Sequence, residues 1–214
     1  MTAFPGRLPG LAPEDWSDEV TGLLQATIQS VGELEGAGPG GPPRRPIPIL
    51  PVIAHQPGLL GPFLAWSSAI ALHGVLSRRD SELLALRAAH NCGSDFEWRH
   101  HSVFARAVGI TDDEIARVAE GPAAEGWVAH ESVLLRAADQ LHQSATLPQD
   151  TWVALSERYD PGALVELVLV VGQYTMLSML ANACGVVDDD GPRTDSRPTP
   201  PSGGADRQQQ REAG

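Results

Sequence analysis

Residues 163–187 form an almost unbroken run of apolar side chains. A run of that length belongs either in a helix that crosses a membrane or in a helix at the centre of a packed core. Glu166, Gln173, Tyr174 and Asn182 interrupt it. Polar groups spread along such a run are costly in lipid and readily satisfied between packed helices, so a buried core helix over 163–184 is the expectation. No stretch alternates with period two, and no segment repeats at a fixed interval. The chain is therefore expected to be all-α.

The remaining helices are marked by their ends. Pro13, Glu14 and Asp15 open an amphipathic pattern to about residue 34, with acids where the helix dipole favours them. Residues 36–48 hold glycine and proline too densely for a regular element and include Arg44 and Arg45. This is read as a flexible or extended loop, a candidate cover for a site. A short turn through Ala54 and a break at Pro57 precede a helix over 59–76. Ser77 or Asp80 can cap the next, which carries Glu82 and Arg87 and ends near Cys92. Another should run from Ser94 or Asp95 to Val108, ended by Gly109. Thr111 and Glu114 make a capping box for a helix through 119. Residues 124–143 show an apolar face at Val128, Val133, Leu134, Leu135, Ala138 and Leu141, and Pro148 starts a short helix towards Tyr159. From Asp188 the chain offers almost nothing apolar to bury, which predicts a disordered tail. The organisation is thus an N-terminal helix and loop (1–48), a helical domain (49–187) and a tail (188–214).

Composition narrows the functional classes. With 214 residues, 42% hydrophobic and 20% charged, the chain suits one globular domain. A net charge of −12 disfavours nucleic acid and anionic membrane surfaces, which need basic patches. All 15 basic residues are arginine, so no lysine is present for a Schiff base or a P-loop. That bias, with abundant Ala, Gly and Pro, is also what a GC-rich bacterial genome produces. Cys92 and Cys184 are too few for a disulfide framework, and no basic segment followed by an apolar run opens the chain, so a cytoplasmic location is expected.

Residues 82–109 concentrate the chemistry. Glu97 and His101 stand four apart, one above the other on a helix face. Joined by Glu82 from the preceding helix, they can run paired proton transfers, because burial or a neighbour brings a carboxylate toward the neutral range where imidazole already titrates. Trp98 and Phe96 would supply an apolar wall. The plain alternative is a solvated i,i+4 pair. A metal site is not expected: His90, Cys92, Glu97, His100 and His101 match no standard ligand spacing, and neighbouring histidines on a helix diverge by about 100°. Cys92 beside a helix end is more often a small buried residue than a nucleophile. His55, His73, His130 and His142 carry no supporting motif.

At these residues the chain resembles the carboxymuconolactone decarboxylase family, which includes the alkylhydroperoxidase D-like proteins. The matching pattern is Glu82, then Ser94-Asp-Phe-Glu97-Trp98-Arg-His-His101, Ala105, Gly109 and the 111–115 segment. Looser likeness spans 49–187, including His55-Gln56-Pro57, Trp127, Trp152 and Gly172-Gln173-Tyr174. The resemblance implies an all-helical, homo-oligomeric protein, commonly a trimer or hexamer, with sites near subunit contacts. Its redox branch carries Cys-x-x-Cys before the histidine; here Ser94 and Glu97 occupy those positions. A dithiol cycle needs both an attacking and a resolving thiol, so a peroxidase of that type is disfavoured. The Glu-Trp-x-x-His version implies cofactor-independent acid/base chemistry on a small carboxylated lactone or related metabolite. His101 would be the principal acid/base, Glu97 its orienting and tuning partner, and Glu82 a second relay. An arginine is expected for the substrate carboxylate, with Arg87, Arg99, Arg44 and Arg45 as candidates and Trp98 lining the site. The competing reading is a non-catalytic helical oligomer that binds a small molecule or protein partner.

Overall fold

The computed structural model describes residues 6–34 and 45–187. The predicted tail and most of the Gly/Pro-rich segment, Arg44 included, lie outside them. Within the described residues the chain forms nine helices and no strand: α1 Asp18–Leu34, α2 Ile49–Ile53, α3 Pro57–His73, α4 Arg78–Asn91, α5 Asp95–Ala107, α6 Asp112–Glu120, α7 Ala129–Ser144, α8 Gln149–Ser156 and α9 Pro161–Cys184. The all-α expectation holds.

Most helix ends fall where capping chemistry puts them. Ser77, Ser94 and Asp160 each accept from a backbone N–H three residues on, and Thr111 with Glu114 forms the full capping box. Three boundaries depart from the sequence reading. The first amphipathic stretch is divided, because a 3-10 turn over Pro13–Asp15 ends at Trp16, whose indole donates to Leu11 O (2.9 Å), and Ser17 restarts the helix by accepting from Val20 N. Pro57 opens α3 rather than interrupting it, since a first-turn proline gives up only an N–H that has no helical partner. α7 starts at Ala129 rather than Ala124: Gly126 takes φ 95°, and the Trp127 indole donates to Gly121 O (3.1 Å), folding this stretch back. Val128 consequently becomes the N-cap and is exposed, not part of the buried face.

α4 and α9 form the axis of the domain. α4 buries Leu83, Leu84, Leu86, Ala88 and Ala89 and packs on α5, α6, α7 and α9. α9 is long and apolar enough to cross a membrane by length and composition, but it packs on α4, α5, α7 and α8 and buries Leu167, Val170, Val171, Leu177 and Ala181. The two run in the same direction. Arg78 and Glu166, near their starts, line one cavity, and Asn182 Nδ2 near the end of α9 donates to Cys92 O (2.9 Å) at the end of α4. Tyr174 packs against both the main core around α4, α7 and α9 and the smaller one built from α1, α2 and α3 with Phe96 and Leu177.

Two arginines tie α4 to its outer neighbours. Arg79 bridges Glu114 of α6 and Glu131 of α7, and its hydrogen bond holds the Glu114 carboxyl down at about 2. Arg87 is the deeper tie, described below.

Candidate active site

The Ser94 cap starts α5 so that Glu97, Trp98, His101 and Ala105 all turn inward against α4 and α9. Facing them, Glu82 projects from the first half of α4. Its Oε2 lies 2.7 Å from His101 Nδ1, while Glu97 Oε2 lies 3.7 Å from His101 Nε2. The imidazole is therefore flanked by a carboxylate at each nitrogen. Nδ1 donates to Glu82; the Glu97 approach is a close charge contact rather than a hydrogen bond. The edge of the Tyr174 ring meets His101 at 4.2 Å between centroids and 73° between planes, and Phe104 closes a third side at 5.6 Å. Only 7% of the His101 side chain, 4% of Glu97 and 12% of Glu82 is exposed.

Those surroundings set the protonation states. Burial opposes a charged His101, but the charge and hydrogen bond of Glu82, helped by Glu97, outweigh it and raise the imidazole above its ordinary value. Burial also raises Glu97, with His101 and His100 pulling it back only in part. The Tyr174 phenol is pushed up as well, by burial and then by the charges of Glu82 and Glu97, so it stays protonated. The site thus holds a buried, readily protonated imidazole next to a carboxyl that keeps its proton above the usual carboxylate range. For both His101 and Glu97 the folded state binds the proton more tightly than the unfolded chain. Their contribution to stability is present at low pH and is lost as pH rises through the folded values. Replacing Glu82 with Gln should lower the His101 titration midpoint, followed by the imidazole Cε1–H resonance; a midpoint that stays at the wild-type value would rule out Glu82 as the tuning partner.

The other expected residues fall elsewhere. Trp98 is 2% exposed and packs in the main core beside the His90 ring (5.9 Å), so it backs the site rather than lining an opening. Arg87 is corrected from substrate ligand to structural tie. Its Nε and Nη2 donate to the two Asp139 oxygens (2.5 and 2.9 Å), and its Nη1 donates to Val118 O and Ala119 O. Four of its five N–H donors are thus committed within the protein. Arg99 is half-buried on α5, about 200° around the helix from Glu97. Arg45 is exposed ahead of α2. Tyr174 is the site residue that spacing alone does not find; the sequence marks it only as a polar break in an apolar run and within the looser family likeness.

Cys92 stands apart from this cluster. Its Sγ lies 3.7 Å from His142 Nδ1, and burial pushes its thiol up despite the nearby Thr175 and Ser178 hydroxyls. A reactive thiolate needs the opposite shift. Among the described residues, no group of three or more His, Cys, Asp or Glu side chains is placed to hold a metal ion.

Comparison with known proteins bears on the fold. Residues 57–140 match the model of the carboxymuconolactone decarboxylase family. No curated protein matches by sequence. Among solved structures, the debrominase Bmp8 in complex with 2,3,4-tribromopyrrole is similar at 14% identity and TM-score 0.69, covering 87% of this chain and 93% of its own. An uncharacterized peroxidase-related protein from Silicibacter sp. TM1040 matches at 17% identity and TM-score 0.67, over 84% and 91%. Another, an alkylhydroperoxidase AhpD core protein from Ralstonia eutropha JMP134, matches at 18% identity and TM-score 0.67, over 88% and 95%. The match over residues 57–140 falls on the same family that the sequence resembles at residues 82–115, and the fold is the alkylhydroperoxidase D-like one.

Proposed function

We propose that the protein is a cofactor-independent acid/base enzyme of the decarboxylase type, acting on a small carboxylated lactone or related acid. The observation that carries this reading is the buried Glu82–His101–Glu97 array, in which one short hydrogen bond fixes the imidazole while its other nitrogen faces a carboxyl of raised pKa. Such an array delivers a proton to carbon. Loss of carbon dioxide breaks the bond between the carboxylate and its neighbouring carbon, and the electron pair passes into a conjugated carbonyl. The resulting enolate-type carbon then takes a proton from His101 Nε2, which Glu97 can reload. The Tyr174 phenol, kept protonated, is a further donor beside the developing charge.

The relatives' names span debromination and peroxidase-like chemistry, so fold does not choose the reaction. The local residues favour proton transfer over thiol chemistry, since Cys92 stands apart from them and its thiol is held up by burial. The test is a screen of purified protein for carbon dioxide release and product formation across carboxylated lactones and β-keto acids, with His101→Gln alongside. Release that depends on His101 supports the reading; release unaffected by the substitution rejects it.

The same reading includes a homo-oligomer. Along α9, Val165, Val168, Leu169, Met176 and Met179 make an exposed apolar stripe at helical spacing, and α3 exposes Leu59 and Trp66. A monomer would leave this surface in water, which favours self-association. Met179, 64% exposed, tests the point: Met179→Glu should shift the mass by light scattering towards monomer while helicity is kept. An unchanged mass would exclude this face as the contact.

A further inference from the structure

Where α3, the start of α4 and α9 meet is a cavity of about 210 Å³ lined by Ile70, Leu76, Arg78, Ser81, Gly74 and Glu166, among others. That is below the roughly 300–1,000 Å³ typical of drug-sized sites, so it fits only a small molecule. Its polar walls are of two kinds. Arg78 is exposed, and no hydrogen bond or ion pair among the described residues uses its guanidinium. This separates it from Arg79 and Arg87, which are paired within the protein. Glu166 is anchored by accepting at Oε2 from Val75 N (2.5 Å) and Leu76 N (3.2 Å) in the α3–α4 connection. Its Oε1 sits over Gly74, where a Cβ would come within 2.2 Å, so the glycine makes room for it. No donor among the described residues is assigned to that oxygen. The cavity therefore combines an uncommitted cation with an uncommitted, fixed acceptor, against the apolar sides of Ile70 and Leu76.

Position links it to the chemistry. Arg78 and Glu82 are four apart on α4, so that helix carries one wall of the cavity and one member of the cluster on the same face. Arg78 is also near enough for its charge to act on the Tyr174 phenol.

We propose that this cavity binds a small hydroxycarboxylate, Arg78 pairing with the carboxylate and Glu166 Oε1 accepting from the hydroxyl, one helical turn from Glu82 on α4. This rests on the acid/base reading only for what happens after binding. The guanidinium supplies the carboxylate partner that such an enzyme needs and that Arg87 is not free to be.

The test is a binding measurement, by calorimetry and ligand-observed NMR on the full chain, with 4-hydroxybenzoate as probe and 4-hydroxybenzamide as its uncharged counterpart. Wild type is expected to bind the acid at least about tenfold more tightly than the amide, as a charge-assisted bidentate pair implies. Arg78→Gln, at an exposed position that should fold normally, is expected to abolish that preference, and Arg78→Lys to restore part of it. Equal binding of acid and amide by wild type, or a preference that survives Arg78→Gln, overturns the assignment. Because the readout is binding and not turnover, the two readings fail separately. A protein that binds through Arg78 yet releases no carbon dioxide from any substrate loses the decarboxylase reading and keeps the cavity. Turnover combined with an Arg78→Gln variant that binds normally does the reverse.

Discussion

Arg87→Met should cost the domain about 3–5 kcal/mol, the range for leaving one member of a buried ion pair without its partner. The Arg87 and Asp139 side chains are 11% and 15% exposed, and the pair is bidentate. Asn91 also donates to Asp139 Oδ1 (2.8 Å), while Arg87 closes the end of α6 through Val118 O and Ala119 O. Removing the guanidinium therefore strands a carboxylate and two helix-end carbonyls together, in the layer where α4, α6 and α7 meet. Methionine keeps much of the side-chain volume, so the loss reports polar pairing rather than a cavity. Chemical denaturation should show a lower midpoint with an unchanged slope. Adding Asp139→Leu should recover part of the loss, since an apolar pair strands no charge. A midpoint equal to wild type would reverse the structural assignment and return Arg87 to the candidates for substrate binding.

Arg87 also shows where sequence reading stops. Its partner is 52 positions away on α7, and nothing in the local pattern of α4 distinguishes a guanidinium aimed at Asp139 from one aimed at a substrate. Arg79 has the same ambiguity and the same resolution, through Glu131. Local chemistry was legible: the Thr111–Glu114 box, the Ser94 cap and the apolar run of α9 each correspond to a helix end or a core helix. Boundaries set inside a loop were not, as at Ala129, where a tryptophan–carbonyl bond six residues back and one left-handed glycine decide the start of α7.

The candidate site divides along the same line. Glu97 and His101 share a helix face by spacing alone, but their 3.7 Å separation leaves the short hydrogen bond to Glu82, 19 positions earlier. Spacing suggested Glu97 as the orienting partner, yet the geometry gives that contact to Glu82, because the packing of α4 on α5 sets Nδ1 against its carboxylate. Tyr174, marked in the sequence only as a polar break and within the looser likeness, reaches His101 because α9 packs on α5.

His101→Gln should reduce turnover of any substrate found in the screen by about 10²–10⁴-fold, the usual share of a positioned acid/base group. Glutamine can keep a side-chain N–H towards Glu82 but cannot carry a transferable proton, so helicity and assembly should be retained while the rate collapses. The pH profile adds a second, independent reading. If the imidazolium is the donor to carbon, the rate falls as pH rises through the His101 value. Since Glu82 and Glu97 together raise that value against the effect of burial, the falling limb should lie above the ordinary histidine range. Glu82→Gln removes the larger of the two opposing charges, so the limb should move to lower pH, in step with the NMR midpoint of the same variant. A limb that ignores Glu82 would mean that another group supplies the proton. Glu97, whose burial also holds a proton above the normal carboxylate range, would then be the first candidate, and Glu97→Gln should abolish the limb that His101→Gln leaves in place.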